Sequence, residues 1–207
     1  FKCPVVVTGN PVRRDVFAVG GQKRGFDRRH LLIVGGSLGA HALNKFMVEM
    51  LPVLKKAGVS IRHQTGVRDE PVVKEAYARA GYDPSCVTAF INDMPGAYSW
   101  ADLVLCRAGA STVAELCGAG VPSILVPYPY AAGDHQTGNA RALEQAGAAV
   151  LFQEKSLSAS FLGGTITGLF GEPDRLAMMS RAALGLARCD AASRVADQIE
   201  AVAVKRQ

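Results

Sequence analysis

The chain has 207 residues, 49% of them apolar and 20% charged, with 22 glycines and 10 prolines scattered singly; this describes one large or two small globular domains with a well-filled core and excludes a disordered or collagen-like chain. A formal net charge of +5 suits nucleic acid, an anionic membrane surface or a phosphate-bearing ligand, and does not choose among them. The five cysteines, Cys3, Cys86, Cys106, Cys117 and Cys189, lack any Cys-x-x-Cys or Cys/His metal spacing, so they read as free thiols in a reducing cytoplasm and not as a zinc site.

The start, Phe1-Lys2-Cys3-Pro4, has neither an initiator Met nor the charged-then-apolar order of a signal peptide, and no apolar run approaches the length that crosses a bilayer. The sequence is therefore expected to begin inside a longer protein. Pro4-Val5-Val6-Val7-Thr8-Gly9-Asn10-Pro11 reads as a strand leading into a turn, at a junction with something upstream. The basic cluster Lys23, Arg24, Arg28 and Arg29 reads as a solvated loop, with loose attraction to anionic lipid heads as the alternative.

From residue 31 onward, apolar runs of strand length alternate with segments of helical period, the pattern of a parallel sheet covered by helices on both faces. Strands are expected at 31–34, 59–64, 87–90, 103–106, 123–126 and 148–152. Between them helices are expected at 40–56, 70–79, 94–100, 111–117 and 135–145, with Gly58 and Gly81 as stops. After Ser156 the pattern turns helical only, over 158–169, 173–187 and 191–204. The expected organisation is a junction at 1–30, a Rossmann-like doubly wound domain at 31–155, and helices at 156–207 that pack on that domain or back toward a preceding one.

Three polar clusters fall where strands hand over to helices. Gly35-Gly36-Ser37-Leu38-Gly39-Ala40 follows the first strand, and glycines there admit positive φ and close approach while helix-start N–H groups favour phosphate; a plain tight turn is the alternative. It departs from G-x-G-x-x-G, and the tip of strand two carries His63-Gln64-Thr65-Gly66 with no acidic residue, so a nicotinamide site is weakly supported. Arg107-Ala108-Gly109-Ala110-Ser111-Thr112-Val113-Ala114-Glu115 repeats the arrangement, with Ser111 or Thr112 as helix cap and Glu115 either an acceptor for a sugar diol or a favourable helix-dipole charge. In the third, Asp134 reads as an N-cap, and His135, Gln136 and Asn139 add sugar-type donors and acceptors. Doubly wound sheets bind ligands at the edge where these three clusters lie.

Together with Gly9-Asn10-Pro11-Val12-Arg13, Phe90-Ile91-Asn92-Asp93-Met94 and Asp134-His135-Gln136-Thr137-Gly138-Asn139-Ala140, these motifs resemble, in order and over essentially the whole chain, the MurG family. Its members are the UDP-N-acetylglucosamine transferases that make the lipid-linked disaccharide precursor of peptidoglycan. The resemblance implies the C-terminal, donor-binding half of a GT-B fold. It implies Ser37 at the diphosphate, Ile91 holding uracil through its backbone, and Gly109, Ala110, Ser111, Thr112, Val113 and Ala114 presenting N–H groups to the diphosphate. It further implies Glu115 on the ribose hydroxyls, Gln136 on the N-acetylglucosamine and Arg13 near the donor at the domain junction. Leu38 stands where the family often has Gln, and Tyr130 and Gly133 where it often has His and Asp.

The implied partners are UDP-N-acetylglucosamine, a lipid-linked acceptor held by a missing N-terminal domain, and the anionic cytoplasmic face of the bacterial inner membrane, without nucleic acid. No Asp-x-Asp occurs, so neither a metal nor a cofactor is expected. The family's proposed catalytic base has no counterpart, so this chain is expected to bind the donor without transferring it. A non-catalytic UDP-sugar-binding module, another GT-B glycosyltransferase and a nicotinamide-dependent dehydrogenase are the other readings.

Overall fold

The computed structural model describes residues 5–22, 25–36 and 39–204. Its strands are β1 His30–Val34, β2 Ser60–Gln64, β3 Val87–Thr88, β4 Leu103–Cys106, β5 Ser123–Leu125 and β6 Ala149–Leu151. They form one sheet in the order β3-β2-β1-β4-β5-β6, and every pairing is parallel. The helices are α1 Arg14–Gly20, α2 His41–Lys56, α3 Glu70–Arg79, α4 Met94–Trp100, α5 Ala110–Ala119, α6 His135–Gln145, α7 Ala159–Phe170, α8 Pro173–Gly185 and α9 Ala191–Val204.

Alternate residues of the apolar strands feed two cores, because successive side chains of a strand point to opposite faces. Leu31, Ile33, Leu103, Leu105 and Ile124 pack with Leu43, Met47 and Leu54 of α2, Tyr77 of α3 and Leu162 and Ile166 of α7. Leu32, Val34, Val104, Cys106 and Leu125 pack on the other side with Val16 and Val19 of α1, Tyr98 of α4, Leu116 of α5 and Leu143 of α6. Helix α8 gives Leu176 and Met179 to the first core and Ala183 to the second, so it laps around the sheet's end. Helix α9 buries Ala191 but leaves Ile199 and Val202 exposed. Among the described residues no helix is long and apolar enough to cross a membrane.

Several expectations are corrected. The valines at 5–7 are exposed and form no strand; the segment runs past the C-terminal helices, where a Cβ on Gly9 would touch Arg188 and Ala191, and so finds no strand to pair with. Residues 14–20 form a helix that the sequence pattern hides, since seven residues with only Val16 and Val19 buried show barely two turns of period. Strand β3 stops at Thr88, and Phe90, expected within it, is exposed. Helix α5 begins at Ala110 with Gly109 in the N-cap position, so Ser111 and Thr112 lie inside its first turn and do not cap it. Arg28 and Arg29, by contrast, keep to the solvated-loop reading: both are exposed and lie outside helix and strand, where Arg28 donates at 2.7 Å to the buried Asp102 and Arg29 donates to the Ala57 carbonyl. Lys23 and Arg24 lie outside the described residues.

Candidate functional site

The registers bring the strand ends level, with Val34 opposite Gln64 and Cys106, Gln64 opposite Thr88, and Cys106 opposite Leu125. All the loops that follow therefore leave one edge of the sheet. The chain order reverses between β1 and β4, the switch point where the loops after adjacent strands diverge and open a crevice.

The loop after β1 is held from below. Gly36 and Gly39 adopt positive φ, at 83° and 74°, and a Cβ on Gly39 would collide with the Thr65 carbonyl; only glycine lets α2 start this close to the loop after β2. Gln64, buried at the tip of β2, accepts from Gly36 N–H through Oε1 at 3.0 Å and donates from Nε2 to the carbonyls of Gly36, at 3.0 Å, and Ala89, at 2.9 Å. One carboxamide thus fixes the spacing between the Gly-rich loop and the segment that leads to Ile91. Ser37 lies outside the described residues.

A second polar network anchors the start of α2. Asn44 donates through Nδ2 to the Thr65 carbonyl and to Asp69 Oδ2, so its Oδ1 accepts from His63 Nε2 at 3.0 Å. That arrangement puts the imidazole proton on Nε2 and leaves Nδ1 to accept from the Tyr77 hydroxyl at 2.9 Å. His63 is wholly buried, and burial drives its pKa down to about 3 against the opposing pull of Asp69. Burial raises the Asp69 carboxyl, but the hydrogen bonds from Asn44 and His41 and the nearby charges outweigh it and hold Asp69 below the ordinary carboxylate value. Burial and nearby Cys86 and Tyr82 keep the Tyr77 hydroxyl protonated.

After β3, Ile91 is half-buried and packs its side chain on the second core. Among the described residues its main-chain N–H and C=O make no hydrogen bond. Two residues later Asp93 caps α4, accepting from Gly96 N–H at 2.9 Å. An open cleft of about 490 Å³ runs beside this segment, lined by Phe90, Ile91, Arg62 and Trp100.

The loop after β4 is held by side-chain bonds. Arg107 donates to the carbonyls of Val126 and Pro127 and pairs with Glu154 at 2.5 Å, while Asn139 donates to the Ala108 carbonyl at 3.0 Å. These bonds hold the approach to α5 rigid. No side chain caps that helix and no acidic residue stands in its first turn, so the N–H groups of Ala110, Ser111 and Thr112 point outward at the positive end of the helix dipole. Val113 N–H makes the first internal bond, to Gly109. A cavity of about 310 Å³ opens beside this helix start, bordered by Asn10, Val12, Ala110, Val113 and Ala114.

Glu115, just over a turn into α5, accepts at 2.9 Å from the Tyr98 hydroxyl of α4. Arg13 stands in the N-cap position of α1, which packs on α4 and α5, and its charge reaches Tyr98: burial, then Glu115, raise the Tyr98 hydroxyl well above its ordinary pKa, and Arg13 opposes them. Arg13, Glu115 and the α5 amides are therefore gathered on one side of the crevice. Gln136, the second residue of α6, accepts from Tyr128 N–H at 2.9 Å through Oε1. Asp134 occupies the N-cap position of α6 at φ 51° without capping it; its carboxylate instead accepts from the Thr137 hydroxyl at 2.6 Å. Gln64 and Tyr98 carry no motif signal, since each acts through a neighbour on another element.

Residues 30–200 match the family profile described as "Glycosyltransferase family 28 C-terminal domain". The chain belongs to that family. Relatives of this family 28 domain include the UDP-N-acetylglucosamine--N-acetylmuramyl-(pentapeptide) pyrophosphoryl-undecaprenol N-acetylglucosamine transferases of Nitratidesulfovibrio vulgaris (strain DP4) and Lawsonia intracellularis. The first is 48% identical over 194 residues, 92% of this chain and 53% of its own length; the second is 48% identical over 201 residues, 96% and 55%. The crystal structure of Acinetobacter baumannii MurG superposes with a TM-score of 0.74 at 38% identity, over 89% of this chain and 52% of that one. The calicheamicin glycosyltransferase CalG4 shares the fold at a TM-score of 0.59 and 21% identity. The chain spans about half the length of the curated relatives it matches. The doubly wound α/β expectation thus stands, as the Rossmann-like C-terminal half of a GT-B glycosyltransferase.

Proposed function

We propose that this domain holds UDP-N-acetylglucosamine for an inverting transfer to lipid-linked N-acetylmuramyl-pentapeptide, at the cytoplasmic face of the bacterial inner membrane. The observation that carries the reading is the uncapped, acid-free start of α5 at the switch point, a ready seat for a diphosphate. The free amides of Ala110, Ser111 and Thr112 receive the diphosphate together with Ser37, while Val113 and Ala114, whose N–H groups lie within the helix's own bonding, line the seat without donating to it. Ile91 offers an N–H and a C=O to the edge of uracil, Glu115 takes the ribose hydroxyls, Gln136 gives its amide nitrogen to the sugar, and Arg13 adds positive charge beside the donor.

In the reaction the acceptor's C4 hydroxyl attacks the anomeric carbon, forming the new glycosidic bond as the bond to the diphosphate oxygen breaks. The hydroxyl proton passes to a base outside this domain, and UDP leaves. Negative charge grows on the diphosphate in the transition state, where the fixed α5 amides stabilise it without reorganising. The similarity to transferases of that named activity supports the same donor and acceptor. Against a nicotinamide site stands Gln64, whose carboxamide is spent on Gly36 and Ala89 and presents no acid to a ribose. Calorimetric titration with UDP-N-acetylglucosamine, UDP-glucose and NAD tests the reading: one site, tightest for UDP-N-acetylglucosamine and blank for NAD, is expected. NAD binding as tight as the UDP-sugars, or no UDP-sugar binding, refutes it.

A further inference from the structure

The Glu115 carboxylate is not left to its own flexibility. A glutamate side chain carries three rotatable bonds, and aiming it at a ligand costs the conformational freedom it gives up. Here one oxygen, Oε2, is fixed from the neighbouring helix by the Tyr98 hydroxyl at 2.9 Å. Tyr98 itself is immobile: it is 1% exposed, its ring belongs to the second core, and its helix is locked at the start by Asp93. We propose that Tyr98 is a positioning residue that aims Glu115 at the ribose, so that preference for a ribonucleotide over a 2′-deoxyribonucleotide donor depends on a phenol that never touches the ligand.

The inference rests on the reading of Glu115 as the ribose acceptor and adds the group that organises it. An ionised carboxylate has about four acceptor positions, so with Oε2 engaged once by Tyr98 the half-buried Glu115 keeps enough acceptor capacity for a diol. Because burial and the Glu115 charge hold the Tyr98 proton in place, the hydroxyl stays a donor throughout the physiological pH range.

Affinities for UDP and 2′-deoxy-UDP, measured on the wild-type chain, Tyr98→Phe, Glu115→Ala and the double variant, test the proposal. Tyr98→Phe keeps the ring and removes only the hydroxyl. We expect it to weaken UDP roughly threefold to tenfold while 2′-deoxy-UDP changes less, and to add nothing in the Glu115→Ala background. If Glu115→Ala loses the ribose preference but Tyr98→Phe keeps the wild-type ratio, the positioning role is overturned and the Glu115 reading stands. If Glu115→Ala itself keeps the ratio, both fall. A second measurement needs no variant: the Tyr98 Cζ resonance of the wild-type chain should move on adding UDP and move less with 2′-deoxy-UDP. Equal response to the two nucleotides overturns the proposal.

Discussion

At the scale of single residues the site divides into groups that meet the ligand and groups that hold those in place. Replacing Glu115 with alanine should weaken UDP binding about ten- to a hundredfold, the loss of roughly 1–3 kcal/mol of hydrogen bonding to a charged acceptor. The melting temperature should fall as well, because the buried Tyr98 hydroxyl loses this acceptor; a helix-dipole role for Glu115 gives that stability loss with unchanged affinity, so the affinity separates the two. For Ile91, whose main-chain groups have no partner among the described residues, side-chain identity should matter little: Ile91→Val keeps UDP affinity. Ile91→Pro, which removes the N–H and fixes φ, should abolish the preference for UDP over CDP in a protein that circular dichroism shows to be folded; a retained preference places base reading elsewhere. The residues proposed to meet the ligand were legible because nearly all of them sit in motifs where a strand hands over to a helix; Arg13, at the start of α1, is the exception. Gln64 is legible only as the place of a missing acid, and Tyr98 carries no sequence signal at all, because their partners, Gly36 and Ala89 for one and Glu115 for the other, are distant in sequence.

At the scale of elements, the handover between β2, α2 and α3 stores a pH dependence. Unfolded His63 takes up a proton near the ordinary imidazole value of 6.5, whereas the folded residue resists until about 3. Between those values the unfolded chain binds the extra proton, so stability should fall as pH drops through that window and show no His63 contribution above it. For a wholly buried ring the full effect is on the order of 5 kcal/mol. Urea unfolding at several pH values should show this slope, and His63→Gln should flatten it; an unchanged slope in the variant assigns the effect to other groups. Most element boundaries were readable from apolar runs and glycine stops: α3, α4, β4, α6 and α9 run as expected. The failures share a cause, which is length or partnership. Helix α1 is too short to display a period, and the valines at 5–7 have strand propensity but no sheet edge to join.

At the scale of the whole molecule, one parallel sheet aligns its strand-to-helix loops on one edge, with the uncapped start of α5 at the switch point and the Arg13 helix packed on α4 and α5. The amino edge is used for stability, through the Arg28 and Asp102 pair and the bond of His30 N–H to the same carboxylate. The proposed function places the ligand at the carboxyl edge. The most direct measurement is an amide proton–nitrogen titration of the chain with UDP-N-acetylglucosamine. The largest shifts should fall on Ile91, Ala110, Ser111 and Thr112, with the amino-edge amides of His30, Gly58 and Asp102 still. Shifts concentrated at that amino edge, or none at the start of α5, would contradict the account.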